Sequence, residues 1–203
     1  MENSLQERIL NNIRENKLQV FYSASFLDLG NYKAVSKTLE RLEKDKKIRR
    51  LVRGIYDKPE YNEKFKMFAS PNISEVALAI ARQFNWNICP SGNYALNLLG
   101  LSTQIPAKYI YISDGPYREY EIYGTKLEFK HSNKKEISDF SYKTLIVIQA
   151  LKTIGKENIS NEDLEQIQRQ LTNEDKQKLL NEGIKTNIWI YEIIKQICGG
   201  KNV

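Results

Sequence analysis

The sequence has one histidine, two cysteines and no long apolar run, and each shortage closes off a class of chemistry. His131 has no histidine partner for a metal site, and it leaves few routes to a Ser–His or Cys–His nucleophile pair. Cys89 and Cys198 lie far apart without CxxC spacing, so both are expected to be reduced and packed rather than bridged or metal-bound. No GxxxxGK[ST], HExxH or GxSxG pattern occurs, so nothing points to a phosphate-cradling loop, a zinc protease or a nucleophile elbow. The longest apolar stretch, residues 76–81, falls far short of the ~20 residues needed to span a bilayer. The opening MENSLQERIL carries charge where a signal peptide has its apolar core. A cytoplasmic protein with no cofactor and no membrane partner is therefore expected.

What is present is a concentrated positive charge. The 203 residues carry 31 Lys+Arg against 25 Asp+Glu, a net charge of +6, and 41% of them are apolar, enough for one large domain or two small ones. Residues 33–58 hold ten basic and four acidic side chains. The excess there equals that of the whole chain, so the remainder is close to neutral.

The early pattern is helical. Leu5, Ile9, Leu10 and Ile13 share a helical face. A short extended piece at residues 20–22 follows, and Ser25 with Asp28 suggests a capping box opening a brief second helix that Gly30 ends. Asn31 can cap a third helix reaching about Lys46. On it Val35, Leu39 and Leu42 cluster at about 180–240°, whereas Lys33, Lys37, Arg41 and Lys44 cluster at about 0–80°. Glu40 interrupts the basic side. Residues 48–52 and 55–56 then flank Arg53-Gly54 as a small hairpin closed by Pro59. Helices followed by a basic hairpin predict a winged helix-turn-helix over residues 1–60.

A polar link at residues 60–70 leads to a second domain, residues 71–203. Its signals are a helix to Phe84, strands at 88–89 and 108–113, a helix at 94–101, and a hairpin over Gly124. Helices follow at 142–154, 161–170, 173–182 and 187–198. The fold class is thus α+β: an N-terminal winged helix-turn-helix, then a mixed α/β domain with a helical tail. Ile188, Trp189, Tyr191, Ile193, Ile194 and Ile197 make the last helix too apolar to stand alone, so it docks on the body or on another chain. Tyr117, Tyr120 and Tyr123 are expected to pack under their hairpin.

The chemistry of the first domain suits double-stranded DNA. A helix fits the major groove and reads base edges, and Lys and Arg supply a salt-dependent phosphate term. The candidate base-facing residues are Tyr32, Lys33, Ser36 and Lys37. The candidate phosphate contacts are Arg41, Lys44, Arg49, Arg50 and Arg53. A solvated basic face, or a winged helix that binds protein, is the plain alternative. Asp114 with Glu128 and Lys130 has the order of a metal-dependent nuclease site, although a β-turn and the solvent face of a strand give the same residues. The surface reading is the expected one.

Three stretches, "RLEKDKKIRRLVRGIYDKP", "PSGNYALNLLGLSTQIP" and "KYIYISDGP", resemble the antitoxins of AbiE-type type IV toxin–antitoxin systems, a family that also acts in abortive phage infection. The resemblance covers about residues 5–130. It implies an N-terminal winged helix that binds and represses the promoter of its own operon. It also implies a second domain needed to neutralise a nucleotidyltransferase-like toxin. The DNA-contacting role then falls on Arg49, Arg50 and Arg53 of the wing and on Lys33, Ser36 and Lys37 of the recognition helix. The implied protein is not an enzyme. The rivals are a transcriptional regulator whose second domain senses a ligand or dimerises, and a nuclease using Asp114, Glu128 and Lys130.

Overall fold

Helix starts follow local capping chemistry. In the computed structural model, which describes residues 4–199, Ser4 and Glu7 form a capping box that opens α1 (Leu5–Glu15). Asn31 accepts the Ala34 N–H at 3.0 Å to open α2 (Tyr32–Lys44). Between them lie β1 (Val20–Tyr22) and a 3₁₀ turn (Ser23–Phe26). That turn begins three residues earlier than the Ser25 capping box implies, because the Ser25 hydroxyl instead accepts the N–H of Tyr22 at 3.5 Å. The strands β2 (Arg49–Val52) and β3 (Ile55–Asp57) follow, then β4 (Tyr61–Asn62), β5 (Met67–Phe68) and α3 (Ile73–Phe84).

The second stretch of chain runs β6 (Ile88–Ser91), α4 (Gly92–Leu98), β7 (Lys108–Ser113), β8 (Arg118–Ile122) and β9 (Thr125–His131). It continues with α5 (Lys134–Ser138), α6 (Tyr142–Ile154), a 3₁₀ turn (Lys156–Asn158), α7 (Asn161–Arg169), α8 (Asn173–Gly183) and α9 (Ile188–Ile197). The fold is mixed α+β. No helix among the described residues is long and apolar enough to cross a membrane.

Two compact units divide the chain. The first takes the residues up to Trp86 together with 120–125, and the second takes 87–119 and 126 onward. The sequence reading placed a boundary in the 60–70 link, between domains 1–60 and 71–203; residues 1–3 and 200–203 of those ranges lie outside the described residues. The units part later because α3, with Val76, Ala77 and Ile80 fully buried, packs on β1 and β3. The link itself is not structureless: β4 and β5 pair as a two-stranded hairpin.

In the first unit the sheet order is β1-β3-β2, antiparallel throughout. Its core joins Ile9 and Ile13 of α1, Phe21 and Phe26, Val35, Leu39 and Leu42 of α2, Ile48 and Tyr56. The rings of Phe21 and Phe26 meet edge to face at 5.5 Å. The apolar stripe expected on α2 is therefore the stripe that packs.

In the second unit β6, β7 and β9 lie side by side in that order, with β7 parallel to β9 and antiparallel to β6. The helix α6 is buried along residues 144–151 and packs on β6, α4 and α8. A helix hydrophobic on nearly every side belongs in a core. α9 docks on α7 and α8 through Ile190, Ile194 and Ile197, the first of the two dockings expected. Gly183 permits that approach, since a Cβ there would lie 2.9 Å from Ile194 Cδ1. Against expectation, Tyr117 and Tyr123 are exposed rather than packed.

Candidate nucleic-acid interface

The helix α2 separates its two chemistries cleanly. Val35, Leu39 and Leu42 are fully buried, while Tyr32, Lys33, Lys37, Arg41 and Lys44 are exposed and Ser36 is half-buried. Glu40 is exposed on the outer side and Glu43 half-buried beside it. Arg41 and Lys44 occupy the last turn, where cations oppose the negative end of the helix dipole. The ion pairs among the described residues leave Lys33, Lys37, Arg41, Lys44, Arg50 and Arg53 unpaired. Their charge is available to an outside partner.

The β2–β3 hairpin turns on Arg53-Gly54, with Gly54 at φ +81°. Glycine suits this turn twice over: the positive φ strains other residues, and a Cβ would sit 3.2 Å from the Gln83 amide. The register shifts between Arg50 and Val52, so Arg49 lies opposite Asp57 and Arg50 opposite Tyr56. This shift gives the two arginines different tasks.

Arg50 projects to solvent beside Tyr56. Burial pushes the Tyr56 phenol above its ordinary value; the charge of Arg50 opposes the rise, and Glu43 and Glu40 of α2 add to it. One buried ring thus feels both the strand arginine and the outer side of α2. The Arg53 side chain is exposed at the turn.

Arg49, named from the sequence among the phosphate contacts, is engaged internally. Its Nε donates to Asp57 Oδ1 at 2.9 Å and its Nη2 to Asp57 Oδ2 at 2.5 Å. The two side chains are only 17% and 6% exposed. Nη2 also donates to the Ala69 carbonyl at 3.1 Å, and Cζ stands 4.6 Å from the ring centre of Tyr123, a residue of the same unit. The hydrogen bonds to Asp57 raise its guanidinium pKa despite the opposing effect of burial. Arg49 ties β2 to β3 and to the base of the β4–β5 hairpin.

The carboxylates considered for a nuclease are not brought together. Asp114 accepts the Asn87 N–H at 2.8 Å and its Nδ2 at 2.7 Å. Glu128 is buried and paired with Lys108, while Lys130 is exposed. Ile110 lies opposite Glu128 in the parallel register, and Asp114 follows four residues later, roughly 13 Å along the strand. A Mg²⁺ ion with ligands at about 2 Å does not bridge that gap. Among the described residues no cluster of three or more His, Cys, Asp or Glu side chains could hold a metal.

The two cysteines are free. Burial pushes the Cys89 thiol up to about 12 and raises the half-buried Cys198 as well, so neither is poised as a nucleophile.

The sequence reading missed the β4–β5 hairpin, where Tyr61, Phe65, Met67 and Phe68 are all exposed. The available signal was four large apolar residues in a stretch with no pattern that could bury them.

The fold is similar to the crystal structure of the RV2827C protein from Mycobacterium tuberculosis, with a TM-score of 0.51 and 10% identity, over 98% of this chain and 78% of that one. At that identity the likeness concerns the fold alone. No curated protein matches the sequence. Residues 8–179 match a family described as "Family of unknown function (DUF6088)", and because the match runs through most of the chain, the protein belongs to that family.

Proposed function

We propose that the protein is a DNA-binding autorepressor and the antitoxin of a type IV toxin–antitoxin pair, countering a nucleotidyltransferase-like toxin. The observation that carries DNA binding is the unpaired basic side of α2, together with exposed Arg50 on β2 and exposed Arg53 at the turn that follows. On this reading the first unit is a winged helix-turn-helix, supported by the order α1, β1, 3₁₀ turn, α2, β2, β3 and the sheet order β1-β3-β2. α2 enters the major groove and presents Tyr32, Lys33, Ser36 and Lys37 to base edges. Arg41, Lys44, Arg50 and Arg53 meet phosphates, and counterion release makes binding steeply salt-dependent. Arg49 stays with Asp57.

The antitoxin half is supported by the AbiE-type resemblance. Its two central stretches fall on β6 with α4 and on β7 with the turn after it. No catalytic step is assigned to this chain. A gel-shift titration on the promoter region of its own gene tests the DNA half: Arg50→Ala with Arg53→Ala should weaken binding and lower the salt slope by up to ~2. An unchanged slope refutes the assignment. Co-expression with the neighbouring gene tests the other half, since an antitoxin relieves toxicity.

A second reading, a regulator whose second unit senses a ligand, is favoured by one feature. A cavity of about 220 Å³ in that unit is lined by Gln149, Lys152, Lys185 and Ile190, among others. A neighbouring gene that is harmless when expressed alone would favour it.

A further inference from the structure

The β4–β5 hairpin is ordered yet buries nothing. Every residue from 60 to 70 is exposed, and Phe65, Met67 and Phe68 are 65%, 60% and 59% exposed. Its shape is nonetheless fixed. Asn62 Oδ1 accepts the N–H groups of Lys64 and Phe65 at 3.0 and 3.2 Å, and Lys66 takes a left-handed backbone at φ +51° to close the turn. Tyr61 and Phe68 meet edge to face at 5.2 Å, the Ala69 N–H donates to the Glu60 carbonyl at 2.8 Å, and Arg49 holds the Ala69 carbonyl. A two-stranded ribbon this short is marginal by itself, and apolar side chains so displayed mark a contact surface.

We infer that this hairpin is a second contact with the duplex that α2 reads, its tip wedging Phe65 and Met67 against base steps while Lys64 and Lys66 meet the flanking phosphates. The inference rests on the DNA-binding reading above. Three observations favour nucleic acid over a protein partner. The hairpin belongs to the same compact unit as α2. Lys64 and Lys66 balance Glu60 and Glu63 in number along it, but the two lysines flank Phe65 at the turn and Lys64 Nζ stands 5.7 Å from the centre of the Phe65 ring, so charge and wedge share one tip. Phe and Met are side chains that partly unstack base steps, and a two-stranded ribbon is of a size a DNA groove admits.

The test is fluorescence anisotropy of a labelled promoter-region duplex over a salt series, with the full chain and three double variants. Lys64→Ala with Lys66→Ala should lower the salt slope by up to ~2. Phe65→Ala with Met67→Ala should weaken binding about tenfold at fixed salt and leave the slope unchanged. Lys33→Ala with Lys37→Ala is the reference for α2. If that pair loses binding while both hairpin variants match the wild type, the hairpin proposal is overturned and the DNA-binding reading stands. If only the lysine pair has an effect, the wedge is overturned. Hairpin variants that bind DNA normally but change the mass seen by light scattering assign the tip to a second copy of the chain, which also overturns it. A wild-type protein that binds no duplex removes both readings. All substituted hairpin side chains are exposed, so equal melting temperatures show that folding is intact.

Discussion

Arg49 and Arg50 are adjacent, identical in chemistry and opposite in role. A regular ladder outward from the Val52–Ile55 pair would set Arg50 against Asp57. The shift at Leu51 sets Arg49 there instead, and a slip of one residue exchanges the faces of a strand. Arg49→Ala leaves the buried Asp57 carboxylate without its partner and should cost on the order of 3 kcal/mol in urea unfolding. Arg50→Ala should leave stability within about 0.5 kcal/mol and weaken DNA binding. Equal stability losses would contradict the division of roles. Cys89 provides a second residue-level expectation: with its thiol at about 12 and its side chain fully buried, iodoacetamide at pH 8 should modify it only as the protein opens. Mass spectrometry of time points with and without urea checks this.

Among the elements, α8 is tied to α6 through Glu182. Burial alone would raise the Glu182 pKa, but hydrogen bonds from Thr144 and from the N–H and hydroxyl of Ser141 outweigh it and hold it below its ordinary 4.5. The Ser141 donors lie 2.8 and 3.0 Å from Oε2. A carboxyl whose folded value is depressed stabilises above its unfolded value and loses that contribution as pH falls through the folded one. Glu182→Gln should therefore cost about 1 kcal/mol at pH 7, with the gap closing below pH 4.5. Melting temperatures of the two proteins from pH 7 to pH 3 measure it. Elements with a strong period were legible in the sequence: Val35, Leu39 and Leu42 drew the buried side of α2, and Asn31 marked its start. The β4–β5 hairpin was not, because Tyr61, Phe65, Met67 and Phe68 bury no face and so leave no period. Nor was the use of Arg49, since a one-residue shift inside a strand leaves no mark in composition. The outer face of α2 was legible because it depends on helix geometry, and the Arg49–Asp57 pairing was not because it depends on register.

For the molecule as a whole, each unit carries an apolar core of its own among the described residues. Leu39→Ala in the first and Leu151→Ala in the second should each cost about 2–5 kcal/mol. Hydrogen exchange should show the loss of protection concentrated in the unit that carries the substitution; protection falling evenly across both would mean a single cooperative block. The first unit is also discontinuous in sequence, since residues 120–125 belong to it. During synthesis its last segment therefore leaves the ribosome some thirty-three residues after Trp86. A nascent chain stalled before that point lacks Tyr123, the aromatic neighbour of Arg49, so this part of the protein is finished only when the following gene segment has been translated.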